Sequence, residues 1–126
     1  MKHTIAISEA ESVVMEELWR RHPMTAEDVF AALARSQDWQ EATVKTLLNR
    51  LLKKGAIQAE KDGRRYLYSP LLKREQWLRT ESKSFLDRMF GGQVAPLVAH
   101  FGKHQKLSKT DLEELKRLIE EMRDGK

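Results

Sequence analysis

Within Ala42–Gly55, the side chains able to bind a charged partner are Thr43, Lys45, Thr46, Asn49, Arg50, Lys53 and Lys54, with no acidic residue among them. Hydroxyls, an amide and cations without a carboxylate form a donor set for phosphate oxygens and for the acceptor edges of base pairs. No Ser/His/Asp arrangement and no glycine-rich phosphate loop is visible elsewhere, so no enzyme is expected. Of the four histidines, His3, His22, His100 and His104, only the last two have the i, i+4 spacing of a chelating pair. Gly102 sits between them, no glutamate follows His100, and the chain has no cysteine. They read as two polar residues at a helix end. No metal site and no cofactor is expected.

The apolar residues decide how those groups are presented. Val44, Leu47, Leu48, Leu51 and Leu52 fall at i, i+3, i+4, i+7 and i+8, which is one face of a helix. At about 100° per residue, the opposite face carries Thr46, Asn49 and Lys53. Thr43 and Arg50 flank it on one side and Lys45 on the other. One side suits a core and the other a polyanion. On this stretch alone, a DNA-reading helix and an ordinary amphipathic helix with a solvated basic face are equally good readings. The flanking sequence separates them.

The 126 residues, 40% apolar and 33% charged, suit one domain or two very small ones. Absence of cysteine excludes a disulfide framework and a thiolate metal site. No apolar run approaches the ~18 residues of a membrane span, and no signal-peptide core opens the sequence. A cytoplasmic protein without membrane insertion is therefore expected. The net charge of +4 is unevenly spread. Residues 1–41 hold four Lys/Arg against eight Asp/Glu, residues 42–65 seven against two, and residues 66–126 twelve against nine. A short basic block beside an acidic one is the footprint of a single phosphate-binding surface. Its interleaved leucines distinguish it from a disordered basic tail.

Taken in order, Met1–Ile7 is expected to be extended. Ser8-Glu9-Ala10-Glu11 is a capping box opening a helix to about Arg21, stopped by His22-Pro23. That helix is expected to bury Val14 and Leu18 together with Val13, Met15 and Trp19. Thr25-Ala26-Glu27-Asp28 opens a second helix, to about Ala34-Arg35, with Met24 and Val29 placed as a hydrophobic staple. Gln40 is a poor cap for the basic helix, so Asp38 is expected to cap it; Gly55 ends it. Two alternating runs, Ala56–Glu60 and Arg65–Pro70, around Asp62-Gly63 predict a β-hairpin, with Tyr66 and Tyr68 as packing groups on one strand face. Helix, helix, basic helix and basic-tipped hairpin is the order of a winged helix-turn-helix. There the third helix enters the major groove and the wing touches flanking backbone.

Pro70 and the charged Lys73-Arg74-Glu75 mark a boundary, giving a DNA-binding domain at 1–70 and a three-helix domain at 71–126. The first C-terminal helix is expected to start at Leu71 or Leu72 and end at Gly91-Gly92. It carries Leu78, Phe85, Leu86, Met89 and Phe90. The second carries Val94, Leu97, Val98 and Phe101 and is expected to stop at Gly102. The third starts at a cap around Leu107-Ser108 and carries Leu112, Leu115, Leu118, Ile119 and Met122. Helices this short cannot easily bury such stripes alone. A homodimer solves that and pairs two recognition helices on two half-sites. The fold class is thus mostly α (α+β): an N-terminal winged helix-turn-helix with a C-terminal helical dimerisation region.

Three stretches carry a further likeness: Thr43–Gly55 (TVKTLLNRLLKKG) with Arg65–Tyr68 (RYLY), Lys83–Gly92 (KSFLDRMFGG), and Leu97–Phe101 (LVAHF). Over nearly its full length the sequence resembles the penicillinase repressors, the BlaI/MecI/CopY family of winged-helix regulators. The resemblance implies a dimeric repressor that binds operators with dyad-related TACA and TGTA elements. It assigns base reading to Thr43, Lys45, Thr46 and Arg50, and the dimer interface to the C-terminal helices. In antibiotic-responsive members of the family, a membrane sensor-protease detects β-lactam and the repressor is cleaved before a phenylalanine that matches Phe101. The family's bond is typically Asn-Phe; here it is His100-Phe101. The copper-responsive branch carries a C-terminal cysteine motif that this chain lacks, which excludes copper sensing by that route.

Phosphate contacts are expected from Asn49, Lys53, Lys54, Lys61, Arg64 and Arg65. The dimer contacts are expected from Leu78, Phe85, Leu86, Met89, Phe90, Leu97, Val98, Phe101, Leu112, Leu115 and Ile119. The partners implied are a double-stranded operator, a second copy and a membrane sensor-protease or its downstream effector. The alternatives are a protein-interaction module or a metal-responsive sensor on the same scaffold.

Overall fold

The computed structural model describes residues 5–104 and 107–125; His3 and the first part of Met1–Ile7 lie outside the described residues. It contains α1 (Glu9–Arg20), α2 (Ala26–Leu33), α3 (Glu41–Lys54), β1 (Ile57–Asp62), β2 (Arg65–Pro70), α4 (Arg74–Phe90), α5 (Val94–His104) and α6 (Lys109–Arg123). These form two compact units, Met1–Thr80 and Glu81–Lys126.

In the first unit the caps act as their sequences require. The Ser8 hydroxyl accepts from the Glu11 amide at 3.1 Å, and Glu11 accepts from the Ser8 amide at 2.8 Å. Thr25 and Asp28 exchange the same two bonds at the start of α2, at 3.0 and 3.1 Å. These bonds hold the Asp28 carboxyl below the usual carboxylate range. The expected Asp38 cap is not used. Gln40 is the cap residue of α3 without a side-chain bond, and its carbonyl accepts from the Thr43 and Val44 amides. Asp38 lies two residues before that cap, outside the turn whose amides need a partner.

Val14, Met15 and Leu18 of α1, Val29 and Leu33 of α2, and Val44, Leu47, Leu48 and Leu51 of α3 form one core with Met24, Ala56, Ile57 and Leu72. Val13, Trp19 and Phe30 pack at its edge. Gly55 ends α3 in the left-handed region at φ 80°, and its amide bonds back to the Leu51 and Leu52 carbonyls. A Cβ there would meet nothing within 4 Å. Gly55→Ala is therefore expected to cost only the left-handed backbone, about 1–2 kcal/mol, read as a lower Tm with unchanged secondary structure.

The hairpin pairs Asp62 with Arg65, leaving Gly63-Arg64 as its two-residue loop. Gly63 has φ 66° and no non-glycine residue has positive φ, the pattern of a turn with glycine at its first central position. Tyr68 extends the sheet by exchanging backbone bonds with Met24, at 2.8 and 3.1 Å, which ties the wing to the turn before α2.

Leu71 and Leu72 do not begin α4. Both amides bond to the Ala56 carbonyl, and the Trp19 indole donates to the Leu72 carbonyl at 2.8 Å, which commits this segment to the first unit before the helix starts at Arg74. Arg74 then donates to Glu16 at 3.0 Å and Trp77 packs on Trp19 at 5.4 Å. In the second unit, Gly102 lies inside α5 instead of stopping it, since a glycine is tolerated in a helix at modest cost. Ser108 and Asp111 form a capping box at the start of α6.

Candidate nucleic-acid interface

The two faces of α3 separate cleanly. Val44, Leu47, Leu48 and Leu51 are buried, while Thr43, Lys45, Thr46, Asn49, Arg50 and Lys53 are exposed. Helical geometry divides the exposed set into two rows. Thr43, Thr46 and Arg50 lie at i, i+3 and i+7, and Lys45, Asn49 and Lys53 at i, i+4 and i+8. Among the described residues, Arg50 and Lys53 form no ion pair; Lys45 reaches Glu41 only at 3.8 Å, between two exposed side chains. Such a pair contributes little and yields readily to another anion.

The second row continues onto the wing. Lys45 and Asn49 line a cleft of about 310 Å³ together with Arg64, Arg65, Tyr66 and Tyr68, and with Thr25, Ala26 and Glu27 at the start of α2. The structure thus brings two expected phosphate ligands of the wing beside two residues of α3. Thr43, Thr46, Arg50, Lys53 and Lys61 are not in the cleft wall. Lys61 is exposed on β1 opposite Tyr66.

Strand alternation places Tyr66 and Tyr68 on one face, but their surroundings differ. Tyr68 is half-buried against the core, and burial raises its phenol pKa. Tyr66, nearer the tip, is exposed and open to the cleft. It and the start of α2 were not among the expected site residues. The only signal in the sequence was the i, i+2 tyrosine spacing, which does not say where the core ends.

Lys54 departs from the expected phosphate role. Its ammonium lies 2.5 Å from Glu11 Oε1 and donates to the Ala6 carbonyl at 2.8 Å. It is committed inside the unit, at the end of α3 that meets α1.

A family model described as penicillinase repressor matches residues 7–121. The chain belongs to the penicillinase repressor family. This is a family of DNA-binding transcriptional repressors, not of enzymes. The chain is 32% identical to the penicillinase repressor of Bacillus licheniformis, over all of this chain and 98% of that protein. It is 31% identical to the methicillin resistance regulatory protein MecI of Staphylococcus aureus strain N315, over 92% of this chain and 94% of that one. Among solved structures, it is similar to the Bacillus licheniformis BlaI monomeric form in complex with the blaP half-operator. The TM-score is 0.52 at 34% identity, covering 60% of this chain and 93% of that one.

The second unit of this penicillinase repressor family member has a different surface. Among its described residues none is buried. Leu86, Phe90, Leu97 and Leu115 are half-buried; Phe85, Met89, Val98, Phe101, Leu112 and Ile119 are exposed. Met89 is 58% exposed and Ile119 54%. In the first unit, Leu78 is also exposed. A groove of about 360 Å³ between α5 and α6 is walled by Leu97, Val98, Phe101, Leu107 and Leu115, with Asp111 and Glu114 at its polar side. His100 stacks on His104 at 4.8 Å along α5. Among the described residues no group of three or more His, Cys, Asp or Glu is placed to hold a metal, and no helix is long and apolar enough to cross a membrane.

Proposed function

We propose that the chain is a sequence-specific repressor that binds a near-palindromic operator as a homodimer in the cytoplasm. The observation that carries this reading is the exposed face of α3, free of acidic side chains from Ala42 to Lys54, continued by the Arg64-Arg65 tip of the wing. Thr43, Lys45, Thr46 and Arg50 read base edges, with threonine methyl groups against thymine and the cations against guanine. Asn49, Lys53, Lys61, Arg64 and Arg65 hold phosphates and set the register. TACA and TGTA half-sites follow from the family to which the chain belongs. The apolar side chains of Glu81–Lys126 that the single chain leaves in water support a second copy as their cover.

Relief of repression acts on the second unit in this reading, through a sensor-protease or its downstream effector. The bond it would cut is His100-Phe101, within α5. A protease needs extended backbone, so α5 has to unwind there, and Gly102 in the next turn lowers that cost by about 1 kcal/mol relative to alanine.

The test is a salt titration of binding to a duplex carrying the TACA/TGTA dyad and to a scrambled duplex of the same composition. Tight, steeply salt-dependent binding that prefers the dyad is expected. Equal affinity for the two duplexes would remove sequence reading from the proposal, and salt-insensitive binding would favour a protein-interaction module. Lys61→Ala is expected to weaken both duplexes alike and to reduce the slope of log K against log salt by about 0.9. A selective loss on the dyad alone would move Lys61 into the base-reading set.

A further inference from the structure

Glu11 occupies the first position of the buried stripe of α1, ahead of Val14, Met15 and Leu18, and is only 2% exposed. A carboxylate in that position loses hydration that only a matched partner offsets. The partner is Lys54, from the last turn of α3, 43 residues away in sequence. One oxygen, Glu11 Oε1, accepts from Lys54 Nζ at 2.5 Å and from the Ser8 amide at 2.8 Å. The same ammonium donates to the Ala6 carbonyl at 2.8 Å. Burial acts to raise the Glu11 pKa, but the bonds and charge of Lys54 and the bonds from Ser8 outweigh it and hold the carboxyl below its ordinary range.

This cluster joins the chain entering α1, the cap of α1 and the end of α3. The leucine face of α3 provides most of the adhesion between the two helices, but apolar contact is non-directional and tolerates sliding. Charge-assisted hydrogen bonds fix distance and angle. We infer that Lys54 is a positioning residue: its ion pair with Glu11 sets the axial placement of α3 on α1, and thereby the presentation of Thr43, Thr46 and Arg50 to DNA, without touching DNA. The inference rests on the DNA-binding reading above and assigns one cation of α3 away from the phosphates.

Two substitutions in the full chain separate this from simple electrostatics, because they change charge in opposite senses. Lys54→Met removes a positive charge and Glu11→Gln removes a negative one with little change of shape. Long-range attraction alone makes the first weaken DNA binding and the second strengthen it. Positioning makes both weaken it. The expected result is a several-fold loss of affinity for the dyad duplex in each variant, at a temperature where circular dichroism shows both fully folded. The slope of log K against log salt stays that of the unsubstituted chain, and Lys54→Arg, which keeps the ion pair, restores affinity.

Tighter binding by Glu11→Gln overturns the inference. So does a slope reduced by about 0.9 in Lys54→Met, the mark of a lost phosphate contact. Unchanged affinity in both variants with only a lower Tm shows a purely stabilising pair and overturns it as well. Should Lys54→Met fail to fold, the sign of the Glu11→Gln effect still decides. Absence of salt-dependent binding by the unsubstituted chain would instead sink the DNA-binding reading, and this inference with it.

Discussion

Ile119→Asp is expected to convert the protein to a monomer whose winged-helix unit is folded and holds a single half-site. Ile119 belongs to the α6 stripe with Leu112 and Leu115, and in the single chain more than half of it is in water. The first unit does not depend on it, because its core is built from α1–α3, Ala56, Ile57 and Leu72. In the proposed dimer the same position is covered, and a carboxylate there would be desolvated without a partner. Separating the two copies removes the effective concentration that links their half-sites, so affinity for the full dyad should fall by about 10²–10⁴-fold. Affinity for an isolated half-site should not change. Sedimentation equilibrium reads the first effect and gel shift on full and half-site duplexes the second. An Ile119→Asp protein that remains dimeric and holds the dyad as before would place the interface elsewhere.

The second large effect concerns reading itself. Arg50→Ala is expected to cost about 1–3 kcal/mol of operator binding and to erase much of the preference over scrambled DNA. Arg50 is exposed, forms no ion pair among the described residues and shares a row with Thr43 and Thr46, so its guanidinium is free to meet a guanine edge. Its neighbours Leu48 and Leu51 are fully buried and are not disturbed by the change, so Tm should stay close to that of the unsubstituted chain. The measurement is the ratio of affinities for dyad and scrambled duplexes at one salt concentration. A ratio that survives the substitution would move base reading toward Lys45 and Asn49, the row that lines the cleft with the wing.

Much of this architecture is written locally. The leucine spacing of Val44–Leu52 predicts both faces of α3, because burial of a helix depends on which residues recur with its own period. Ser8/Glu11, Thr25/Asp28 and Gly55 mark their helix ends for the same reason: caps act within a turn. The winged-helix order and the two-strand hairpin follow from such local marks, and the family likeness rests on the same stretches.

What the local pattern misjudges is every group whose partner is distant in sequence. Leu71 and Leu72 extend the apolar pattern of α4 on paper, yet the Ala56 carbonyl and the Trp19 indole draw them into the first unit. Tyr66 and Tyr68 look equivalent until the core stops between them. The seven side chains of α3 that opened the reading look like one donor set, since each is polar and none is acidic. Six of them stay exposed, and the sequence alone determined that surface. Only the tertiary structure turned Lys54 inward, because a cation goes where the most poorly solvated anion is, and Glu11 becomes that anion once α1 has packed against α3.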